Sequence, residues 1–121
     1  MMIDHILLYV TDPARSAQFY ASLLHRQPVE DSATFALFIL DHGLKLGLWK
    51  QDGVSPKASM MGGGAELAIS LNSDLDVDQI HQTQMQQGSV VLQAPTEMDF
   101  GYTCTISDPD GHRIRFLCLH G

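Results

Sequence analysis

Residues 3–24 read IDHILLYVTDPARSAQFYASLL and contain the signals for two successive elements of regular structure. Ile3 to Val10 are mostly apolar, with branched and aromatic side chains, which predicts a β-strand. Thr11 or Asp12 can cap the first amides of a helix, and the proline that follows fits a first helical turn. Apolar residues then recur at helical spacing from Pro13 to Leu24. The stretch therefore predicts a strand followed by an amphipathic helix.

The same order recurs in the second half of the chain. GAELAISL, residues 64–71, predicts a strand. NSDLDVDQIHQTQMQQG, residues 72–88, predicts a helix with a polar cap, acidic residues in its first turn and a glycine at its end. The chain is therefore expected to repeat one architecture, with a first module at about 1–61 and a second at about 62–121.

The remaining segments predict strands and turns. Residues 32–50 form two apolar runs separated by Asp41-His42-Gly43, which predicts a hairpin. Gln51 to Gly64 is rich in glycine and predicts a loop. Three strands are expected from residue 90 onward, and Asp108-Pro109-Asp110-Gly111 predicts a tight turn before the last of them. The predicted class is α+β, with two strands after the first helix and three after the second.

Composition narrows the range of functions. The chain has 121 residues, of which 45% are hydrophobic and 17% charged, as in an ordinary globular protein. Its net charge of -7 argues against nucleic acid as a partner, because phosphate binding needs clustered Lys and Arg. No apolar run approaches the ~20 residues of a membrane helix, and the two cysteines show no metal-binding spacing. We expect a soluble, cytoplasmic protein with reduced thiols.

Strand alternation separates an apolar set of residues from a mixed set. The apolar set, including Leu46, Leu48 and Ile114, is expected to meet the helices. The mixed set combines aromatic, small and ionisable residues, as a ligand site does, although a solvent-exposed sheet face with salt-bridged charges is the alternative. The candidate ligand-binding residues are His5, Tyr9, Lys45, Trp49, Glu66, Thr103, Thr105 and Arg115.

The opening DHI...YVTD...S..FY and the closing GYTCTISDPDGHRIRF resemble the vicinal oxygen chelate superfamily. That group includes glyoxalase I, extradiol dioxygenases, and fosfomycin- and bleomycin-resistance proteins. The resemblance covers essentially the whole chain, so 1–121 is expected to be one domain. It implies two paired βαβββ modules that form a curved, cup-shaped sheet, usually in a homodimer.

The resemblance also implies where a metal would bind. Metal ligands of the family would fall on His5, on Glu66 and on the position of Arg115 in the last strand. Arginine has no lone pair to offer a metal, so we expect neither a metal nor another cofactor. Arg115 could form an ion pair with Glu66, or it could hold a carboxylate or phenolate of a ligand. Arg113 is expected to reach solvent.

Three functional interpretations follow from the resemblance. The first is a metal-free protein of the bleomycin- or phenazine-resistance type that sequesters an antibiotic or another aromatic or cationic small molecule. The second is a metal-dependent lyase, isomerase, thiol transferase or dioxygenase, which would need His5, Glu66 and one further ligand, for which Glu97 is a candidate. The third is a metal-free catalyst with His5 or Glu66 as general base near Arg115. No catalytic residue is assigned. Cys104 and Cys118 are expected to be inert core residues, and His120 is expected to be exposed.

Overall fold

The computed structural model describes all 121 residues and contains two α-helices and eight strands. The chain divides into two compact units, Met1–Gly62 and Gly63–Gly121. Each unit has a four-stranded sheet of mixed direction and one helix, so the predicted α+β class is confirmed. Neither α-helix has the length and hydrophobicity of a transmembrane span.

The first unit consists of one helix and four strands in the sheet order β1-β4-β3-β2. The first and last strands, β1 and β4, pair in parallel, and the other pairs are antiparallel. Asp12 caps α1, because its Oδ1 accepts a hydrogen bond from the Ala14 amide at 3.1 Å. The elements are β1 (His5–Val10), α1 (Pro13–Leu24), β2 (Glu30–Asp31), β3 (Phe35–Ile39) and β4 (Lys45–Lys50).

The second unit repeats this arrangement with the sheet order β5-β8-β7-β6. Its first and last strands, β5 and β8, again pair in parallel, and β8 also pairs with β7. The Ser73 hydroxyl caps α2 by accepting from the Asp76 amide at 3.1 Å. The elements are β5 (Glu66–Ser70), α2 (Asp74–Gln86), β6 (Val90–Met98), β7 (Gly101–Ser107) and β8 (Arg113–Leu119).

Strand β2 is the element that the sequence interpretation missed. It has only two residues, Glu30 and Asp31, and both are charged and exposed. Neither apolar alternation nor branched side chains mark it as a strand, and pairing with β3 alone creates it. With β2 included, both units have the order βαβββ.

Each sheet has a helix face and an open face, which we define by the alternation of side chains. The helix face carries residues that are buried against the helix, including Phe38, Leu46 and Leu48 in the first unit. Ile106, Ile114 and Phe116 occupy the same place in the second unit. The open face carries the intervening residues, and the predicted separation of core and mixed sets is confirmed in β4 and β8.

Candidate functional site

Four of the candidate residues lie together on the open face of the second sheet. Arg115 is the cross-strand partner of Thr105 in β7 and of Ala68 in β5. Thr103 lies two residues from Thr105, and Glu66 lies two residues from Ala68, so both point to the same face. The structure thus brings Glu66, Thr103, Thr105 and Arg115 together, as the alternation predicts.

The guanidinium of Arg115 is the centre of this group. It donates to Glu66 from Nε at 2.7 Å and from Nη2 at 3.0 Å, which is a bidentate ion pair. Nη1 donates to Gln93 Oε1 at 2.9 Å and to Thr103 Oγ1 at 3.2 Å. Thr103 in turn donates to the carbonyl of Phe116 at 2.8 Å, which fixes its hydroxyl as an acceptor for Arg115.

The ion pair keeps both of its members charged. The hydrogen bond from Arg115 lowers the pKa of Glu66, and the charges of Arg115 and Arg113 lower it further. The same hydrogen bond raises the pKa of Arg115. Arg113 is 46% exposed and its Nη1 lies 3.5 Å from Glu66 Oε2, so it reaches solvent as expected but also makes a loose ion pair.

Gln93 belongs to this group and was missed from the sequence. Its Oε1 accepts from Arg115 and also from Thr105 Oγ1 at 3.3 Å. The register of β6 against β7 shifts on both sides of Gln93, between Val91 and Gln93 and between Gln93 and Thr96. Strict alternation cannot be followed through such irregularities, so the sequence pattern did not assign Gln93 to a face.

The other four candidates lie on the open face of the first sheet. Cross-strand pairing places His5 beside Lys45 and Tyr9 beside Trp49. The Tyr9 and Trp49 rings meet edge to face, with centroids 6.4 Å apart. Between these pairs Leu7 lies opposite Gly47. A Cβ on Gly47 would come within 3.0 Å of Leu7 and Phe35 atoms, so the glycine leaves room for an apolar surface.

The polar end of this face lies at the start of β1 and β4. His5 Nδ1 and Asp4 Oδ1 are 2.8 Å apart, and this hydrogen bond lowers the pKa of Asp4. Lys45 Nζ lies 3.4 Å from the Gly43 carbonyl. The open face of the first sheet therefore has an aromatic end at Tyr9 and Trp49 and a polar end at His5 and Lys45.

The donor set at the implied metal position does not fit a divalent ion. Both carboxylate oxygens of Glu66 accept from the Arg115 guanidinium, which is cationic and has no lone pair. Glu97 pairs with Tyr102 across the strands, and its Oε1 is 2.9 Å from His120 Nδ1. The Tyr102 hydroxyl donates to Asp78 of α2, so Glu97 lies on the helix face. The interpretation in which Glu97 joins Glu66 as a ligand is therefore wrong.

The turn at 108–111 is held by its own hydrogen bonds, and the two cysteines lie in the interior. The Asp108 carboxylate accepts from the amides of Asp110 and His112 at 2.9 and 2.8 Å, which is the geometry of the predicted turn. Cys104 and Cys118 are both buried and free. Burial raises the pKa of the Cys104 thiol to about 11.

Sequence comparison identifies the family. The family model of the Glyoxalase/Bleomycin resistance protein/Dioxygenase superfamily matches residues 2–116. The chain belongs to this superfamily. A curated member of similar sequence is the phenazine antibiotic resistance protein EhpR of Enterobacter agglomerans. It is 32% identical over 116 residues, which cover 93% of this chain and 88% of that protein.

Solved structures agree with the superfamily fold. A protein of Agrobacterium tumefaciens studied by solution NMR is 47% identical, with a TM-score of 0.92 and coverage of 100% of this chain and 99% of that one. A glyoxalase-related enzyme of Fulvimarina pelagi is 22% identical, with a TM-score of 0.83 and coverage of 98% and 88%. At that identity the likeness shows the fold alone. The resemblance inferred from the two sequence motifs is confirmed.

Proposed function

We propose that this superfamily member binds a small planar aromatic compound, such as an antibiotic of the phenazine type, and does so without a metal ion. The observation that carries the proposal is the bidentate ion pair between Arg115 and Glu66. It replaces a metal ligand by a fixed positive charge and occupies both oxygens of the neighbouring carboxylate. A positive group of this kind favours an anionic oxygen on a ligand.

The hydrogen bonds of Arg115 support this role. A guanidinium has five N–H donors, and the protein accepts four hydrogen bonds from this one. The side chain is 19% exposed, so it remains accessible while Glu66, Gln93 and Thr103 fix its orientation. The remaining donor is left for a carboxylate or phenolate oxygen of the ligand.

The aromatic end of the first sheet supports the aromatic character of the ligand. Tyr9 and Trp49 are only partly buried, and Leu7 beside them is exposed. Aromatic side chains that stay accessible can stack on planar rings. The name of the relative from Enterobacter agglomerans, a phenazine antibiotic resistance protein, points to the same class of compound. Sequestration rather than turnover is the function we propose. The proposed contacts are His5, Tyr9, Lys45 and Trp49 on the first unit, and Glu66 and Arg115 on the second. Thr103 and Thr105 are buried and support the second group through Arg115 and Gln93.

We also propose that the chain acts as a homodimer in the cytoplasm. The dimer is implied by the superfamily, and Val29 and Ile39 leave exposed apolar surface on the first unit. Light scattering on a size-exclusion column should give twice the chain mass of 13.3 kDa. A mass of one chain at micromolar concentration would contradict the dimer.

The test of the function is a binding titration with EDTA-treated protein. Trp49 is the single tryptophan of the chain, so its fluorescence reports on the proposed site. We expect saturable binding of phenazine-1-carboxylate by fluorescence and calorimetry, unchanged when Mn²⁺ or Zn²⁺ is added. Failure of phenazine and of other planar aromatic compounds to bind, or binding only with added metal, would overturn the proposal.

One variant and its control test the contribution of the positive charge. Arg115→Gln should weaken binding of the carboxylate by about tenfold, the effect of one charge-assisted hydrogen bond, and should affect unsubstituted phenazine less. Arg113→Gln is the matched control, because Arg113 is more exposed and holds Glu66 only loosely. Equal losses for both compounds in Arg115→Gln would show that the guanidinium does not recognise the carboxylate.

A further inference from the structure

A second group of ionisable residues lies on the helix face of the second unit. Asp74 is the first residue of α2, Cys118 lies in β8, and His120 follows two residues later. Positions two apart along a strand point to the same side, so the thiol and the imidazole both face the start of α2. One ligand atom from each of the three residues lies within 4.8 Å of the other two.

We propose that Asp74, Cys118 and His120 bind a divalent transition-metal ion, for which Zn²⁺ is the best match. Thiolate, imidazole and carboxylate are the three ligand types that Zn²⁺ accepts, and three protein ligands leave one position for water. The site is distinct from the Arg115 group, because Arg115 points to the open face and Cys118 to the helix face of the same strand. It does not rest on the proposed function.

The ion is expected to bind between the His120 and Asp74 side chains. His120 Nε2 and Asp74 Oδ1 are 2.7 Å apart, which is hydrogen-bonding distance. Metal bonds of about 2.0–2.2 Å in tetrahedral geometry would separate the two atoms to about 3.4 Å. The side chains of His120 and Asp74 are 44% and 46% exposed, which gives them the freedom to open by this amount.

Glu97 provides an independent observation that points to a metal. Its Oε1 lies 2.9 Å from His120 Nδ1, the ring nitrogen that would not bind the ion. Histidine ligands of metals usually donate this second N–H to a carboxylate, which orients the ring and makes the other nitrogen a better ligand. His120 therefore already has the orientation that a histidine ligand needs.

The charges around Cys118 also favour a cation. Asp74, Asp76 and Glu97 place three negative charges near this thiol. A bound divalent cation would stabilise the thiolate. The same three carboxylates would offset the charge of the ion.

The test uses Co²⁺ as a spectroscopic probe for Zn²⁺, with untagged and reduced protein at pH 7.5. We expect thiolate-to-cobalt charge-transfer absorption that saturates at one ion per chain and disappears when Zn²⁺ is added. Cys118→Ser should abolish this absorption, and His120→Ala and Asp74→Asn should weaken binding at least tenfold. Glu97→Gln should weaken it by about tenfold, the usual effect of losing such a partner.

Controls distinguish this site from other cobalt-binding groups. His81→Ala removes another histidine of the same unit and should leave the titration unchanged, and Cys104→Ala should leave the charge-transfer absorption in place. Circular dichroism checks that each variant is folded. No charge-transfer absorption with the wild-type protein, or absorption that persists in Cys118→Ser, would overturn the proposal. Both results are independent of phenazine binding, which is measured with EDTA.

Discussion

A single residue in the last strand decides which chemistry the open face of the second sheet supports. The Arg115 guanidinium donates hydrogen bonds to both carboxylate oxygens of Glu66. It also donates to one oxygen each of Gln93 and Thr103. Glu66 therefore has no carboxylate oxygen free of a positive partner. At this scale the ion pair makes Glu66 and Arg115 unfit as a metal ligand set, and it is the basis of the proposed contact with an anionic oxygen.

Arg115→Glu should create metal affinity on the open face of the second sheet. The change places a second carboxylate beside Glu66 and removes the positive charge, and carboxylates are good ligands for Mn²⁺ and Zn²⁺. The variant is best made in a His120→Ala background, which removes the separate site proposed above. Calorimetry with both ions should show a gain that Arg113→Glu does not show. A folded variant without any gain would count against the superfamily geometry at this position.

Glu66→Gln should lower the free energy of unfolding by about 1–2 kcal/mol at neutral pH, because Arg115 loses its charged partner in a partly buried place. The pKa of Glu66 is lower in the folded chain than its usual value of 4.5. Its stabilisation is therefore complete above pH 4.5 and is lost as the pH falls through the lower, folded value.

Urea unfolding across the acid range measures this effect. The stability of the wild-type protein should fall more steeply below pH 4.5 than that of Glu66→Gln, and the two curves should converge at low pH. Parallel curves over the whole range would show that the ion pair does not contribute to stability.

At the scale of elements, β8 joins the two groups of the second unit. Its odd-numbered residues carry Arg115 to the open face, and its even-numbered residues carry Cys118 to the helix face. The strand lies between β5 and β7, so cross-strand pairing fixes its register on both sides. A shift of one residue would exchange the two faces.

Gly101 at the start of β7 allows the backbones of β7 and β8 to approach closely. Its φ is +147°, and a Cβ there would overlap the carbonyl oxygen of Cys118. Gly101→Ala should therefore lower the free energy of unfolding by roughly 3 kcal/mol, from backbone strain and overlap together. Gly64→Ala is the control, because nothing lies within 4 Å of its Cβ. Similar melting temperatures for both variants would contradict this account.

His120 should titrate above its usual value of 6.5, because Asp74 and Glu97 both stabilise the imidazolium. Its contribution to stability is complete below pH 6.5 and is lost as the pH rises through the raised, folded pKa. NMR titration of metal-free protein should show this raised value, and Asp74→Asn should lower it. A value near 6.5 that is insensitive to Asp74→Asn would rule out the contact.

At the scale of the whole molecule, the sequence predicted the architecture better than the details of its groups. Capped helices and apolar strands are local signals, so the repeat and the α+β class could be predicted. Strand β2 could not be predicted, because its two charged residues form a strand only by pairing with β3. That the two units form one domain over 1–121 stays a prediction.

The residues of the Arg115 and Cys118 groups could also be predicted only in part from the sequence. Alternation placed Glu66 and Arg115 on one face, and their pairing was one of the alternatives that the residues left open. Gln93 was missed because the register of β6 shifts around it. Cys118 was expected to be an inert core residue, which its burial agrees with, but its proximity to Asp74 and His120 depends on how α2 packs on β8. Such contacts between distant positions have no local signal.

The parallel pairing of first and last strands has a consequence for synthesis on the ribosome. In each unit the last strand made, β4 or β8, is a central strand that joins the first strand to the rest of its sheet. A nascent chain that has emerged only as far as β7 leaves β5 without a neighbour. Neither sheet can be completed progressively from one edge, so we expect each unit to fold late, in one step, after its final strand leaves the exit tunnel.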